Sequence, residues 1–255
     1  MMKTVNSGIR AAVLVPLILL CVVGCSTKPV QDGEIIDPIF AADRVLREDV
    51  GYASDVYDPW EGFNRRMYVF NANFDRYVFL PVVNAYQLVL PDFAEKGVSN
   101  FFSNLSEIRN AINSVLQLKA ESTFAATWRF IINSTFGVAG FFDPATAMGQ
   151  PQMAEDFGQT LGRWGVSSGP YLVLPIFGPS NLRDTTGLVA DRLMIDEVEL
   201  LGLNENSHEE WLYLALKATD ARSQTAFRYY EMGSPMEYEM VRMLYNTKRQ
   251  MDIEK

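Results

Sequence analysis

The sequence predicts a mostly α-helical protein preceded by a membrane-targeting leader. Three observations carry that reading. Apolar residues recur at steps of three and four along most of the chain. Helix-start signals stand before several of these runs. No run of alternating apolar and polar residues bounded by hairpin turns is present. The 255 residues carry 22 Lys and Arg against 31 Asp and Glu, a formal charge of -9. Such a balance excludes a basic face for nucleic acid, so no nucleic-acid partner is expected. Two Cys exclude a disulfide scaffold, and a single His removes most zinc and His-dependent chemistry.

The leader sets the compartment. Lys3 and Arg10 are the only charges before residue 28, and residues 11–23 form an apolar run. That run is short for a membrane span of about 20 residues. It ends in Val22-Val23-Gly24-Cys25, which resembles a bacterial lipobox, with Cys25 lipidated after cleavage. An ordinary signal peptide, or a short uncleaved anchor, is the other reading. Ser26, in a place where Asp would signal inner-membrane retention, favours the outer membrane. Residues 1–24 are thus read as a lipoprotein signal peptide. Residues 25–57 are read as a lipidated N-terminus and tether, with Pro29, Gly33, Pro38 and Gly51 among acids. A short helix over residues 41–50 is a further reading of that segment. Cleavage removes two bases and no acid, so the mature chain is more acidic still.

A helical domain is expected over residues 58–250, with a tail at 251–255. Asp58-Pro59-Trp60-Glu61 has the pattern of a helix N-cap, Pro at N1 and a capping-box acid. Phe63, Met67, Phe70, Phe74 and Tyr77 then form one stripe, which Pro81 bounds. Val98, Phe101, Leu105, Ile108, Ile112 and Val115 form a second stripe after Pro91. Phe124, Trp128, Ile131 and Thr135 form a third. Ser207 and Glu210 read as a capping box for a helix reaching about Glu231, and Ser234-Pro235-Met236-Glu237 opens a last one.

Three stretches carry no charge: 77–91, 130–142 and 164–182. The first two are short for an upright span, and Gly165, Gly169, Pro170, Pro175, Gly178 and Pro179 break the third. They fit the buried core of a soluble protein. They fit equally a protein sunk partway into a bilayer with apolar surface toward lipid.

Gly165-Val166-Ser167-Ser168-Gly169 matches the G-x-S-x-G nucleophile elbow, with Asp184, Asp191 and Asp196 and then His208 downstream. The elbow needs a buried strand before the Ser and a helix after it. The preceding Phe157-Gly158-Gln159-Thr160-Leu161-Gly162 is a poor strand, and Pro170 follows at once. A lipid esterase is therefore the least favoured reading. No Walker A, dinucleotide or H-E-x-x-H motif occurs, so no enzyme activity and no metal are expected.

Three segments together resemble the MlaA (VacJ) family of lipoproteins. The first is Asp58-Pro59-Trp60-Glu61-Gly62-Phe63-Asn64-Arg65 with Met67-Tyr68 and Phe70-Asn71. The second is Asn133-Ser134-Thr135 with Gly137, Gly140 and Asp143. The third runs from Asp156-Phe157-Gly158 through Gly169-Pro170-Tyr171 and Gly178-Pro179-Ser180 to Arg183-Asp184. The sequence departs from the family at Ile108, where Pro is frequent, and at Leu118, where Gly is frequent. The resemblance implies amphipathic helices in a ring-like body around a central channel, embedded in the inner leaflet of the outer membrane. It implies removal of misplaced outer-leaflet phospholipid and delivery to a periplasmic carrier of the MlaC kind, with a trimeric porin as partner. No cofactor is implied beyond the diacylglycerol and N-acyl chain on Cys25. Arg163 and Arg183 bound the Gly/Pro-broken stretch and are expected near headgroup phosphates, or in ion pairs with Asp156 or Asp184. Asn71, Asn73 and Phe74 are expected on a helix bordering the channel. A lipoprotein that merely scaffolds a porin complex is the competing reading.

Overall fold

The computed structural model describes residues 30–31, 34–35, 56–197, 202, 208–231 and 233–255. The leader, Cys25, most of the tether, residues 41–50 and Ser207 lie outside them. A short antiparallel pair, β1 (Val30–Gln31) and β2 (Glu34–Ile35), stands alone before the main body. Helices then dominate: α1 (Glu61–Phe74), α2 (Leu80–Val89), α3 (Asp92–Leu116), α4 (Ala120–Thr135), α5 (Pro144–Ala147) and α6 (Phe157–Arg163). Strands β3 (Tyr171–Leu174) and β4 (Gly178–Asn181) pair as a small hairpin, followed by α7 (Leu182–Glu197), α8 (His208–Ser223) and α9 (Glu237–Glu254). No helix among the described residues is long and apolar enough to cross a membrane.

Several boundaries differ from expectation, each for a local reason. Helix α1 starts at Glu61 with Trp60 as N-cap and no side-chain cap. The Asp58 carboxylate instead accepts from Asn64 at 2.7 Å, the Tyr238 hydroxyl at 2.5 Å and Arg242 at 3.1 Å. Pro81 does not end the first helical stretch. A π-helical segment (Asp75–Phe79) follows α1 and runs helically into α2, and Pro81 sits just after it, where the widened π turn has already interrupted the four-residue hydrogen-bond ladder. The expected break in 164–182 becomes a turn and the β3–β4 hairpin. Helix α8 stops at Ser223, and α9 continues through residues 251–254.

The chain divides into two compact units. One comprises Met1–Asp75, Pro170–Ser180 and Arg228–Asn246, and the other Arg76–Gly169, Asn181–Phe227 and Thr247–Lys255. The first unit has an aromatic core of Met67, Tyr68, Tyr171, Val173, Tyr238 and Val241. Its rings meet edge-on, with Tyr68 5.7 Å from Tyr238 and Tyr171 6.2 Å from Tyr238, the arrangement that ring quadrupoles favour.

The second unit is built the other way round. Along α3 the residues at three- and four-residue steps that are buried are Asn104, Glu107, Asn110, Asn113 and Gln117, with Ser114 beside them. The apolar stripe expected to face a core is only half-buried, and Val115 is exposed. On α4 the buried face holds Ala125, Ala126, Arg129, Ile132 and Asn133, whereas Phe124, Trp128 and Ile131 point outward. The stripes exist as read, but the one on α4 faces outward and the one on α3 is only partly covered.

Turns repeat the inversion. Leu118, in the turn joining α3 to α4, has φ 59° and is 91% exposed. A β-carbon in this left-handed region meets the following carbonyl, a strain of roughly 1–2 kcal/mol. Glycine, the residue frequent here in the family resemblance, would not carry it. We therefore expect Leu118→Gly to stabilise the fold by a few tenths to about 1 kcal/mol, after the entropy glycine adds to the unfolded chain. A rise in thermal midpoint of the purified protein checks this; a fall would show that Leu118 packs against something.

Candidate functional site

In the first unit, two asparagines on α1 hold one strand. Asn64 donates to the Tyr171 carbonyl at 3.0 Å and accepts from the Val173 amide at 2.8 Å. Asn71, two turns on, donates to the Leu174 carbonyl at 2.9 Å and accepts from the Ile176 amide at 2.7 Å. Each carboxamide copies the donor and acceptor pair of a neighbouring strand, so backbone groups of β3 and the hairpin tip that β4 does not meet are bonded without a third strand. Asn71 is thus buried with both ends engaged, which gives it a positioning role and not a lumen-facing one. Asn73 is exposed and Phe74 half-buried, its ring stacked on Phe70 at 6.0 Å. The hairpin tip that Asn71 holds presents Ile176, at φ 70°, and Phe177, both exposed.

The interior of the second unit is a connected set of charges and amides. Arg129 is 1% exposed and donates to Glu107 at 2.5 Å, Asp143 at 3.0 Å and Thr146 at 2.9 Å, and also to the Gln150 carbonyl. Asn133 donates to Asp143 at 3.0 Å and accepts from the Ala145 amide at 3.1 Å, while Asp143 caps α5 through the Thr146 amide. Farther along α3, Gln117 donates to Glu155, which also pairs with Lys119 at 3.1 Å. Thr160 donates to Asn113, and Asn113 to Asp191. The turn after α4, with Val138 at φ 54° and Ala139 at φ 55°, exposes Phe136, Val138 and Phe142.

Two ends of the Gly/Pro-broken stretch behave differently. Arg183 is buried and paired with Asp184 at 2.9 Å, so of the two expectations for it the ion pair is the one formed. Arg249 of α9, not singled out from sequence, completes the cluster. It forks onto Asp156 at 2.7 and 2.9 Å and reaches Asp184 at 2.8 Å. Burial opposes ionisation of Asp156, but Arg249 outweighs it and holds the carboxyl well below its usual range. Asp156 also caps α6 through the Gln159 amide. Arg163 is exposed in the last turn of α6, where its charge complements the helix dipole, and it makes no ion pair among the described residues. Trp164 next to it is exposed yet donates its indole N–H to the Leu116 carbonyl at 3.1 Å.

The nucleophile-elbow geometry is not made at Ser167. That residue is exposed in a coil after α6, not between a strand and a helix. Asp184 is held by Arg183, Arg249 and Asn181, and Asp191 by Asn113 and the Phe157 amide, so neither is left to orient His208, which is exposed at the start of α8. The side chain of Asp196 lies outside the described residues. No cluster of metal ligands occurs among the described residues.

The polar residues of the interior that sequence reasoning missed were Glu107, Asn110, Asn113, Gln117, Arg129 and Glu155, all buried, and the half-buried Arg249. For those on α3 and at its C-terminal end the signal is present as a polar stripe opposite the apolar one. A polar stripe is ordinarily the solvated face of a helix, which is why it does not announce an interior.

Comparison with known proteins follows the same lines. The model of the MlaA lipoprotein family matches residues 56–252. An uncharacterized protein of Rickettsia prowazekii is 33% identical over 239 residues, 93% of this chain and 94% of its own. The intermembrane phospholipid transport system lipoprotein MlaA of Escherichia coli is 42% identical over 139 residues, 52% of this chain and 55% of its own. A solved structure reported as the structural basis for maintenance of bacterial outer membrane lipid asymmetry superposes with a TM-score of 0.61 and 31% identity, covering 77% of this chain and 98% of the other.

Two predictions follow from the interior. Removing one partner of a buried ion pair strands the other, at about 3–5 kcal/mol. Glu107→Ala should lower stability by that amount in denaturant unfolding; a loss under about 1 kcal/mol would mean that Asp143 suffices for Arg129. The second concerns Asp220 of α8. Burial pushes its carboxyl up to about 6; the Tyr86 hydroxyl at 3.4 Å opposes this and Glu95 adds to it. A raised acid favours the folded state below its unfolded value of about 3.9 and penalises it as pH rises through 6. Asp220→Asn should therefore unfold at a higher temperature than the parent at pH 7.5, with the gap closing below about pH 4.

Proposed function

The chain belongs to the MlaA lipoprotein family, and from that premise we propose that it is an outer-membrane lipoprotein that withdraws misplaced phospholipid from the outer leaflet. In this reading it is no enzyme. It passes the lipid through an amphipathic channel to a soluble periplasmic carrier of the MlaC kind, and it sits beside a trimeric porin. Cys25 carries the acyl chains that hold it to the membrane, and residues 26–57 are the tether.

One observation carries the reading. The second unit buries Arg129, Glu107, Asn110 and Asn113 while Phe124, Trp128, Ile131, Phe136, Val138 and Phe142 stay outside. In water that arrangement exposes the wrong side chains. Against lipid it buries what cannot face hydrocarbon and leaves outside what can. The same holds at turns, where Leu118, Val138 and Ile176 occupy left-handed positions that water-facing turns give to Gly or Asn.

The energetics point the same way. A two-chain phospholipid drawn through water exposes about thirty methylenes, roughly 24 kcal/mol at ~0.8 kcal/mol each. Without nucleotide chemistry, that cost is avoided only by an apolar surface running beside a polar one. Asn73 and Phe74 supply both characters on adjacent residues, and Arg163 offers an exposed charge for a headgroup. Asn71 holds the hairpin of the first unit in place, and Arg183 the start of α7 in the second.

The test is photo-crosslinking in the membrane with the full lipidated chain. Reactive residues at Asn73, Phe74, Arg163 and Phe177 should capture phospholipid, and Arg163→Glu should lower lipid transfer while porin association persists. Adducts with porin alone at all four positions would make the protein a scaffold. Ser167→Ala is expected to leave transfer unchanged; loss of a free-fatty-acid product in that variant would reinstate the esterase.

A further inference from the structure

Three helices of the second unit bring cations together. Helix α3 packs against both α7 and α8. On α3, Phe102 and Arg109 are two turns apart on one face. On α8, Tyr213 and Lys217 are one turn apart on one face. The rings of Phe102 and Tyr213 meet at 5.6 Å, and across the same helix pair the charge of Arg109 reaches Lys217. From α7, Arg192 approaches the same place, tied to α8 by its 2.8 Å pair with Glu210.

The carboxylates nearby are already engaged. Asp191, whose charge Arg109 also faces, accepts from Asn113 at 2.9 Å and from the Phe157 amide at 3.0 Å, and Glu210 holds Arg192. Neither Arg109 nor Lys217, both half-buried, forms an ion pair among the described residues, and the buried Arg109 Nε has no hydrogen-bond acceptor there. The Lys217 ammonium lies 5.8 Å from the Tyr213 ring centroid. Burial, and then the charges of Arg109 and Arg192, hold it below the ordinary lysine range. Like charges brought together from separate helices repel, and the repulsion falls away when an anion sits among them.

We propose that Arg109 and Lys217, with Arg192 beside them, form a phosphate-binding site that takes the headgroup phosphodiester of the transported phospholipid. The guanidinium fork suits two phosphate oxygens and the ammonium supplies a point charge. This rests on the transport reading and deepens it by placing a polar station on α3 and α8. It belongs to this chain's own residues: Arg109 stands within none of the three family-like segments.

The experiment uses the full lipidated protein in mild detergent, exposed to vesicles of phosphatidylethanolamine and phosphatidylglycerol at about 3:1, then repurified and weighed for retained phospholipid. Arg109→Gln and Lys217→Gln should each lower retention several-fold and the pair by about tenfold or more, in line with losing charge-assisted hydrogen bonds. Thermal midpoints should stay level or rise, because repulsion is relieved. Arg109→Lys and Lys217→Arg, which keep the charges, should restore most of the retention. Wild-type retention in the double Gln variant overturns the site. Loss of retention with a falling midpoint and no rescue by the charge-keeping pair overturns it too, since the residues would then serve the fold. Inorganic phosphate provides the last arm. If it shields Lys217 from amine acylation and the vesicles do not, the site is for free phosphate and the headgroup assignment fails. Phospholipid captured at Asn73 and Phe74 with an unaffected double variant would leave transport standing and remove only this site. A wild-type chain that takes up no phospholipid at either place would remove both.

Discussion

The Arg129–Glu107 pair is the interaction on which the second unit depends. A guanidinium and a carboxylate, both out of contact with solvent, are costly to bury and persist only when every neighbour completes them. Here the neighbours do so from four segments: α3 supplies Glu107 and Asn110, α4 Arg129 and Asn133, the α5 region Asp143 and Thr146, and the following loop Gln150 and Gln152. Sequence-distant segments are thereby fixed by directional bonds, beside small buried apolar contacts such as Ala125, Ala126, Ile132 and Ala145. Apolar side chains are then free to lie outside.

Directional bonding recurs elsewhere in both units, in the first beside its aromatic core. Within the second unit, Asp156, Asp184 and Arg249 tie α6, α7 and the last residues of α9. Their approach requires the absence of side chains between α6 and α7. A β-carbon on Gly187 would come within 2.4 Å of the Gly158 backbone nitrogen, and one on Gly158 within 2.6 Å of the Asp184 carboxylate. In the first unit, Asn64 and Asn71 bond the strand β3 edge and Asp58 gathers Asn64, Tyr238 and Arg242. The family-like segments are largely these polar and glycine positions. They read as architecture as much as chemistry.

Such a body is suited to handling lipid. Charged and amide groups inside are bonded to one another, so an apolar medium around the proposed transporter would meet few unsatisfied groups. The exposed strain at Leu118 and Ile176 fits the same economy, since an apolar side chain at a turn tip has a use only where the surroundings are apolar.

The sequence by itself determined the helical class, the positions of most helices and the family. Periodicity and spacing are local properties, and the Asp58, Asn133 and Asp156 segments keep theirs. It also showed that α3 is two-faced, but not which face is inside. Periodicity reports a contrast between two sides of a helix and is blind to whether the outer medium is water or lipid. Only the tertiary structure decided that Glu107 faces inward and Phe124 outward. Tertiary structure likewise turned Asp58 from an expected helix cap into an acceptor for Tyr238, and Asn71 from a channel-facing amide into a strand clamp. Both changes depend on partners more than a hundred residues away, and a local pattern carries no information about them.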